Sequence, residues 1–313
     1  MTEMVASMNH KSESMAPLDR VVPAQAMPAQ IMPTEIARLK DVMKKESAHD
    51  VVVVKFGGNA IGNEAVLDGL IDDAVAMVKS GIHVVVVHGG GTAVTDSLAA
   101  IGKETKKLNG LRVTDEETLA IAVKVFSEIN HKLTEKFRQK GASALGFCSQ
   151  AALPFQTEKM SEELGWVGEI VDVHSGNIES WMWAGWIAVV SPLGVDGNGQ
   201  FYNINADHAA LALATNLEAD GLIFMTDVPG VLKDFKEPKS RIGHVTPSIA
   251  EALIADGTIS GGMLPKIKSC VKAIGGGMNR IAIINSFEPN ALMRGFVAPE
   301  EIGTLITGEK NDQ

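Results

Sequence analysis

What most limits the fold of this chain is a set of short, continuously apolar runs separated by longer helical stretches. Residues 51–56 (VVVVKF), 82–87 (IHVVVV), 187–194 (IAVVSPLG), 222–227 (LIFMTD) and 280–285 (RIAIIN) are rich in β-branched residues and show no polar alternation. A strand without a polar face is buried on both sides, as the strands of parallel sheets are. Between these runs, EAVLDGLIDDAVAMVKSG, DEETLAIAVKVFSEINHKLTEKFRQKG, ADHAALALATNLEAD, TPSIAEALIADG and LPKIKSCVKAIGGG read as helices. The alternation predicts an α/β protein, a three-layer αβα sandwich around a mostly parallel central sheet. Ligands of such sheets bind beyond the carboxyl ends of the strands, so function is expected in the residues that follow each strand.

Those residues are distinctive. The first strand ends in Lys55 and runs into Phe56-Gly57-Gly58; the second runs into His88-Gly89-Gly90-Gly91-Thr92 and a helix from about Ala93. Glycines between a strand and a helix let backbone amides face an anion at the positive end of the helix. One such loop reads equally well as a tight turn; two on adjacent strands, one carrying a lysine, favour an anion site. Neither fits G-x-G-x-x-G, and the chain has no G-x-x-x-x-G-K-[ST], which disfavours a dinucleotide-binding dehydrogenase and a P-loop enzyme.

Composition narrows the classes further. With a formal charge of −10 and a pI near 5.3, the chain lacks the positive field that nucleic acid or an anionic membrane requires, so neither is an expected partner. The most apolar window, 181–195, is interrupted by Gly185, Ser191 and Pro192 and is too short to span a membrane. Cys148 and Cys270 stand in no metal or redox spacing, so a reduced, cytoplasmic protein is expected, with no dedicated metal cluster. Residues 1–33, rich in Met, Ala, Pro and Ser and lacking apolar periodicity, read as a flexible tail; Glu3, Glu13 and Asp19 argue against a transit peptide. Residues 34–46 read as an amphipathic helix with Thr34 as its N-cap, either a surface helix or one exchanged between subunits.

Four further segments carry polar chemistry. In NGLRVTDEE (109–117), Arg112 is either a solvated loop residue or a two-pronged carboxylate ligand, with Thr114 or Asp115 capping the next helix. In YNINADHAA (202–210), Asp207 reads either as a plain N-cap or as a charge partner for lysines. TDVPGVL (226–232) ends a strand in an acidic turn. SGGMLPKIKS (260–269) puts Lys266 in the first turn of a helix, where it opposes the macrodipole unless it meets an anion.

In their order, VVVVKFGGNA, VVHGGGTAV, NGLRVTD, ELGWVGEI, YNINADHAA, TDVPGV, ISGGMLPK and IGTLI resemble the amino-acid kinase superfamily, and within it the N-acetylglutamate kinase family. The likeness covers residues 51–306, and the RVTD element favours that family over aspartate, uridylate or carbamate kinases. It implies ATP-dependent phosphorylation of the side-chain carboxylate of N-acetyl-L-glutamate, a step of arginine biosynthesis, with magnesium held mainly by the phosphates. By resemblance Lys55, Lys266 and Asp207 are catalytic, the lysines on the transferring phosphoryl and Asp207 holding both. Gly58, Gly90 and Gly91 would offer amides that a side chain would obstruct, Arg112 would grip the substrate α-carboxylate, and Asn203 would bond near the acylated amine. Asp227, Val228, Gly230, Val231, Leu232, Thr258, Ile259, Ser260 and Met263 would frame the nucleotide. The resemblance also implies an amino-acid-binding and dimerisation lobe at 47–220, a nucleotide-binding lobe at 221–313, and a homodimer or hexamer.

The sequence departs from the family pattern in three places. Thr92 replaces a common proline. Residues 146–160 lack the usual Gly-Lys-Asp-Gly type of hairpin, which keeps open a kinase for another acylated amino dicarboxylate, such as an aminoadipate derivative; a non-catalytic sensor of the same fold is the third reading. Asn285, Phe287, Asn290 and Glu301 stand where arginine-inhibited relatives have other residues, so arginine inhibition of the usual kind is not expected.

Overall fold

A computed structural model describes residues 50–309; the tail expected at 1–33 and the helix expected at 34–46 lie outside the described residues. Eight strands form one sheet in the spatial order His244–Val245, Gly303–Thr307, Arg280–Asn285, Gly221–Thr226, Val51–Phe56, His83–His88, Ile187–Val190, Ala144–Phe147. All neighbours are parallel except Arg280–Asn285 with Gly303–Thr307.

Val51–Phe56 shows how sequence becomes layers. Successive side chains of a strand point to opposite faces. Val52, Val54 and Phe56 enter a core with Leu67, Leu70 and Ile71 of helix Glu64–Lys79 and with Leu292 of helix Ala291–Val297. Val51 and Val53 enter the opposite core with Ala209, Ala210 and Leu213 of helix Ala206–Asn216 and with Ile267 and Cys270 of helix Met263–Gly275. Each fully buried valine or leucine stabilises the fold by about 1.5–3 kcal/mol, so both faces must be covered. Lys55 shares the parity of Val51 and Val53, which directs it to the face covered by the helices that carry Asp207 and Lys266.

The run at 187–194 is not one strand. Ser191 and Pro192 end Ile187–Val190, because proline cannot donate to a ladder. The chain resumes as Leu193–Val195 in a separate four-stranded sheet with Phe201–Asn203, Phe155–Lys159 and Gly168–Val173. Two other strands sit one residue from expectation, at His83–His88 and Gly221–Thr226. No helix among the described residues is long and apolar enough to cross a membrane.

From Val51–Phe56 the sheet is built outward on one side through His83–His88, Ile187–Val190 and Ala144–Phe147, and the chain then returns to its other side for Gly221–Thr226. The connections therefore diverge at the carboxyl end of Val51–Phe56, which opens the crevice where such folds bind ligands. The division expected at residue 220 falls beside this strand, and Val52 to Phe56 pair directly with Gly221 to Met225.

Candidate active site

A cavity of about 930 Å³ opens at this reversal, and the expected catalytic, substrate and nucleotide residues, from Lys55 to Lys266, all line it. Lys55 enters from the strand end, with 14% of its side chain exposed. Its Nζ stands 3.0 Å from Asp207 Oδ1, a charge contact rather than an aligned hydrogen bond, since Oδ1 accepts none. Lys266 Nζ donates to Asp207 Oδ2 at 2.5 Å and lies over the Phe224 ring at 4.6 Å. Thus the cation that opposes the dipole of helix Met263–Gly275 meets an anion from the neighbouring helix.

Asp207 is free to do this because it is not the N-cap. Asn205 Oδ1 accepts the backbone N–H groups of Asp207 and His208 and caps helix Ala206–Asn216. Burial would raise the Asp207 carboxyl, but the charges of Lys55 and Lys266 and the hydrogen bond from Lys266 outweigh it and hold the group at about 2, against an ordinary 3.8. Asp207 is therefore ionised throughout the neutral range. It can organise cations but has no basicity left for proton abstraction.

The glycine turns flank this pair. A Cβ at Gly57 would stand 2.8 Å from the Met225 carbonyl oxygen, so the chain can pass close beside the neighbouring strand only as glycine. Helix Gly91–Ala100 begins two residues earlier than the sequence indicates, with Gly90 as its N-cap. The expected reason for the bare backbone needs correcting at Gly90: a Cβ there would meet Ile129 at 2.7 Å and Phe126 at 2.9 Å, side chains of the helix behind the loop rather than a ligand. At Gly58 a Cβ would approach Thr92 Oγ1 at 3.3 Å, and at Gly91 it would meet only Arg112 Nη2, at 3.9 Å.

Arg112 closes one end of the cavity from a small hairpin, Lys107–Leu108 with Leu111–Arg112, turned through Asn109 and Gly110 at positive φ. Its Nη1 donates to Thr105 Oγ1 at 2.8 Å, and its Nη2 to the Gly91 carbonyl at 2.6 Å and to Thr95 Oγ1 at 2.8 Å. Both hydrogens of Nη2 are thus engaged within the protein, and since each fork of a guanidinium includes Nη2, a two-pronged grip on a carboxylate would exchange one of these bonds. The segment before the hairpin is tied to the helix after it by Lys103, whose Nζ reaches Asp115 and Glu117; Asp115, not Thr114, caps that helix by accepting from Thr118 N. Asn203 Nδ2 donates to Thr114 Oγ1 at 3.1 Å.

At the other end, Asp227, Val228, Gly230, Val231 and Leu232 follow strand Gly221–Thr226, and Thr258, Ile259, Ser260 and Met263 lead into helix Met263–Gly275. Asn59, not singled out by the motifs, donates from Nδ2 to Asp227 Oδ2 at 2.7 Å and so ties the first glycine turn to this end. Its position directly after Gly57-Gly58 was the available signal. Asn205 is missed for the reverse reason, since Asp207 drew the capping role in a sequence with both residues. Among the described residues no three His, Cys, Asp or Glu side chains are grouped to hold a metal ion.

The ligand crevice of this α/β sheet sets two ammonium groups and two glycine turns beside an arginine, a set of cations and amides suited to an anionic ligand. The chain belongs to the amino acid kinase family, whose model matches residues 50–285. It is 40% identical over 260 residues to an acetylglutamate kinase of Clostridioides difficile, covering 82% of this chain and 91% of that protein. It is 36% identical over 275 residues to an acetylglutamate kinase of Heliobacterium modesticaldum, covering 84% and 93%. A crystal structure of N-acetylglutamate synthase from Neisseria gonorrhoeae with coenzyme A and N-acetyl-glutamate matches with a TM-score of 0.79 at 20% identity, over 89% of this chain and 64% of that longer one; that likeness is one of fold.

Proposed function

We propose that this chain transfers the γ-phosphoryl group of ATP to the side-chain carboxylate of N-acetyl-L-glutamate, forming N-acetylglutamyl 5-phosphate and ADP as a step of arginine biosynthesis. The observation that carries the reading is the convergence of Lys55 and Lys266 on one ionised carboxylate, Asp207, in the lining of the cavity.

The substrate carboxylate is ionised at neutral pH, so its oxygen attacks the γ-phosphorus directly as the bond to the β–γ bridging oxygen breaks. No general base is needed, which fits an Asp207 with no basicity. What remains is to align two anions and to neutralise charge on the moving group and on the departing ADP. Lys55 does this from the acceptor side and Lys266 from the nucleotide side, both kept in place by Asp207. Amides of Gly58, Gly90 and Gly91 bind the phosphoryl and carboxylate oxygens. Arg112 grips the α-carboxylate and Asn203 bonds near the acylated nitrogen, on the amino-acid lobe at 47–220. The residues from Asp227 to Leu232 and from Thr258 to Met263 hold the nucleotide on the lobe at 221–313. Magnesium bound with the nucleotide would supply charge neutralisation at the phosphates. The proposal extends to a cytoplasmic homodimer or hexamer, to be weighed by light scattering.

The test is ATP-dependent acyl-phosphate formation trapped as the hydroxamate, comparing N-acetyl-L-glutamate, N-acetyl-L-aspartate, N-acetyl-aminoadipate and free glutamate, each with and without arginine. Preference for N-acetyl-L-glutamate supports the reading. Turnover of another acid alone, or of none, overturns it.

A further inference from the structure

The second glycine loop rests on a buried polar cluster that none of the roles above uses. His88 is fully buried at the end of strand His83–His88. Its Nδ1 lies 2.8 Å from the carbonyl oxygen of Gly89, and its Nε2 lies 3.0 Å from Ser191 Oγ and 3.3 Å from Asn130 Nδ2. These partners decide the tautomer. A carbonyl oxygen only accepts, so Nδ1 carries the hydrogen and donates it. Nε2 then accepts from the Ser191 hydroxyl, with the Asn130 amide, which also donates to the Val189 carbonyl at 2.8 Å, beside it. Burial depresses the imidazole from 6.5 to about 4, so it stays neutral in the working range.

The consequence lies in the geometry of a single peptide. In a trans peptide the carbonyl and the following N–H point in opposite directions within one plane. A Gly89 carbonyl turned toward the buried His88 ring therefore turns the Gly90 N–H the other way, toward the cavity that Gly90 lines. Among the described residues the Gly90 N–H finds no acceptor. Gly90 must be bare because Phe126 and Ile129 crowd its rear face, so side-chain packing cannot lock this plane by itself.

We propose that His88 is a positioning residue: its Nδ1–H holds the Gly89–Gly90 peptide in the one orientation that presents the Gly90 amide to an anionic oxygen in the cavity. Ser191 and Asn130 hold the ring in the required tautomer. This deepens the phosphoryl-transfer reading and rests on it for the identity of the anion, though not for the peptide geometry.

The experiment has two independent readouts on the full chain. The first is nitrogen NMR with 15N-labelled histidine. The expected result is a neutral His88 protonated at Nδ1, unchanged from pH 8 to about pH 5; a ring protonated at Nε2 overturns the proposal whatever the enzyme does. The second is kinetic, in the hydroxamate assay. His88→Leu should lower kcat on the order of a hundredfold, the loss expected when one aimed donor is removed from a charge-developing oxygen, with KM for ATP unchanged. His88→Asn, whose amide can donate from the place of Nδ1, should recover most of that loss. A folded His88→Leu with wild-type kcat, or His88→Asn no better than His88→Leu, overturns the assignment. If His88→Leu does not fold, Ser191→Ala replaces it: removing the donor to Nε2 should loosen the tautomer seen by NMR and lower kcat in the same direction, and no change in either refutes the cluster's role. Absence of acyl phosphate with wild-type protein would sink the proposed function alone, because the tautomer measurement would still judge His88.

Discussion

Replacing Asp207 by asparagine keeps the side-chain shape and removes one charge from between two cations. The carboxyl is held at about 2 instead of 3.8, a difference that corresponds to about 2 kcal/mol of stability at neutral pH. Its side chain is 23% exposed and the lysines 14% and 15%, so water screens the cluster only in part. In the variant both ammonium groups also lose their counter-charge, and breaking a buried ion pair from one side costs about 3–5 kcal/mol. Asp207→Asn should therefore destabilise the protein by about 2–5 kcal/mol at pH 7, lowering the thermal midpoint by roughly 5–15 °C. The sign with pH follows from the depressed value: the stabilisation is complete above the unfolded value near 4 and is lost as pH falls through about 2. Thermal melts of both proteins between pH 7 and pH 2 should accordingly converge at the acid end. Pyrophosphate should stabilise the variant more than the wild type at pH 7, since an added anion replaces the missing charge. Equal midpoints at pH 7 would refute the premise that the carboxylate holds the lysines together.

Lys55→Ala and Lys266→Ala should each lower turnover by orders of magnitude while circular dichroism stays unchanged; near-normal turnover in either removes that lysine from the mechanism. Arg112→Ala should leave kcat largely intact and raise the KM of the acyl amino acid by the equivalent of about 1.5–3 kcal/mol, the worth of a charged hydrogen-bonded contact. Because Arg112 also holds the Gly91 carbonyl, a change in the KM for ATP alone would reassign it to the loop. Gly90→Ala should destabilise by about 1–3 kcal/mol through overpacking against Ile129 and Phe126, visible in thermal melts. Gly91→Ala meets no such obstacle, so it should melt close to wild type and lose activity only if the added methyl obstructs the ligand.

Much of this molecule is legible in the order of its residues, and the reason differs from element to element. The valine runs declare the central strands because nothing but burial on both faces suits them. Lys55 is legible in more detail, since a period of two sends it to the same face as Val51 and Val53. Pro192 is where composition misleads: the apolar run continues through it, but the missing N–H divides the run between two sheets. Short strands such as His244–Val245 leave no periodic signal, because two residues complete no pattern.

The site separates along the same line. The glycine turns, the arginine and each lysine are local features, visible because strand ends and helix starts have their own chemistry. Their convergence is not local. Asn205 caps its helix, and His88 grips the peptide before Gly90, through contacts within a few residues, but that Asp207 bridges Lys55 and Lys266, and that Ser191 and Asn130 meet the His88 ring, depends on segments far apart in the chain. Sequence alone determined which groups carry charge and which strands end in glycine turns, because propensity and burial pattern act on neighbours. Only the tertiary structure decided which charges meet and which amide faces the cavity, because distance and orientation across a packed sheet are set by the whole core at once.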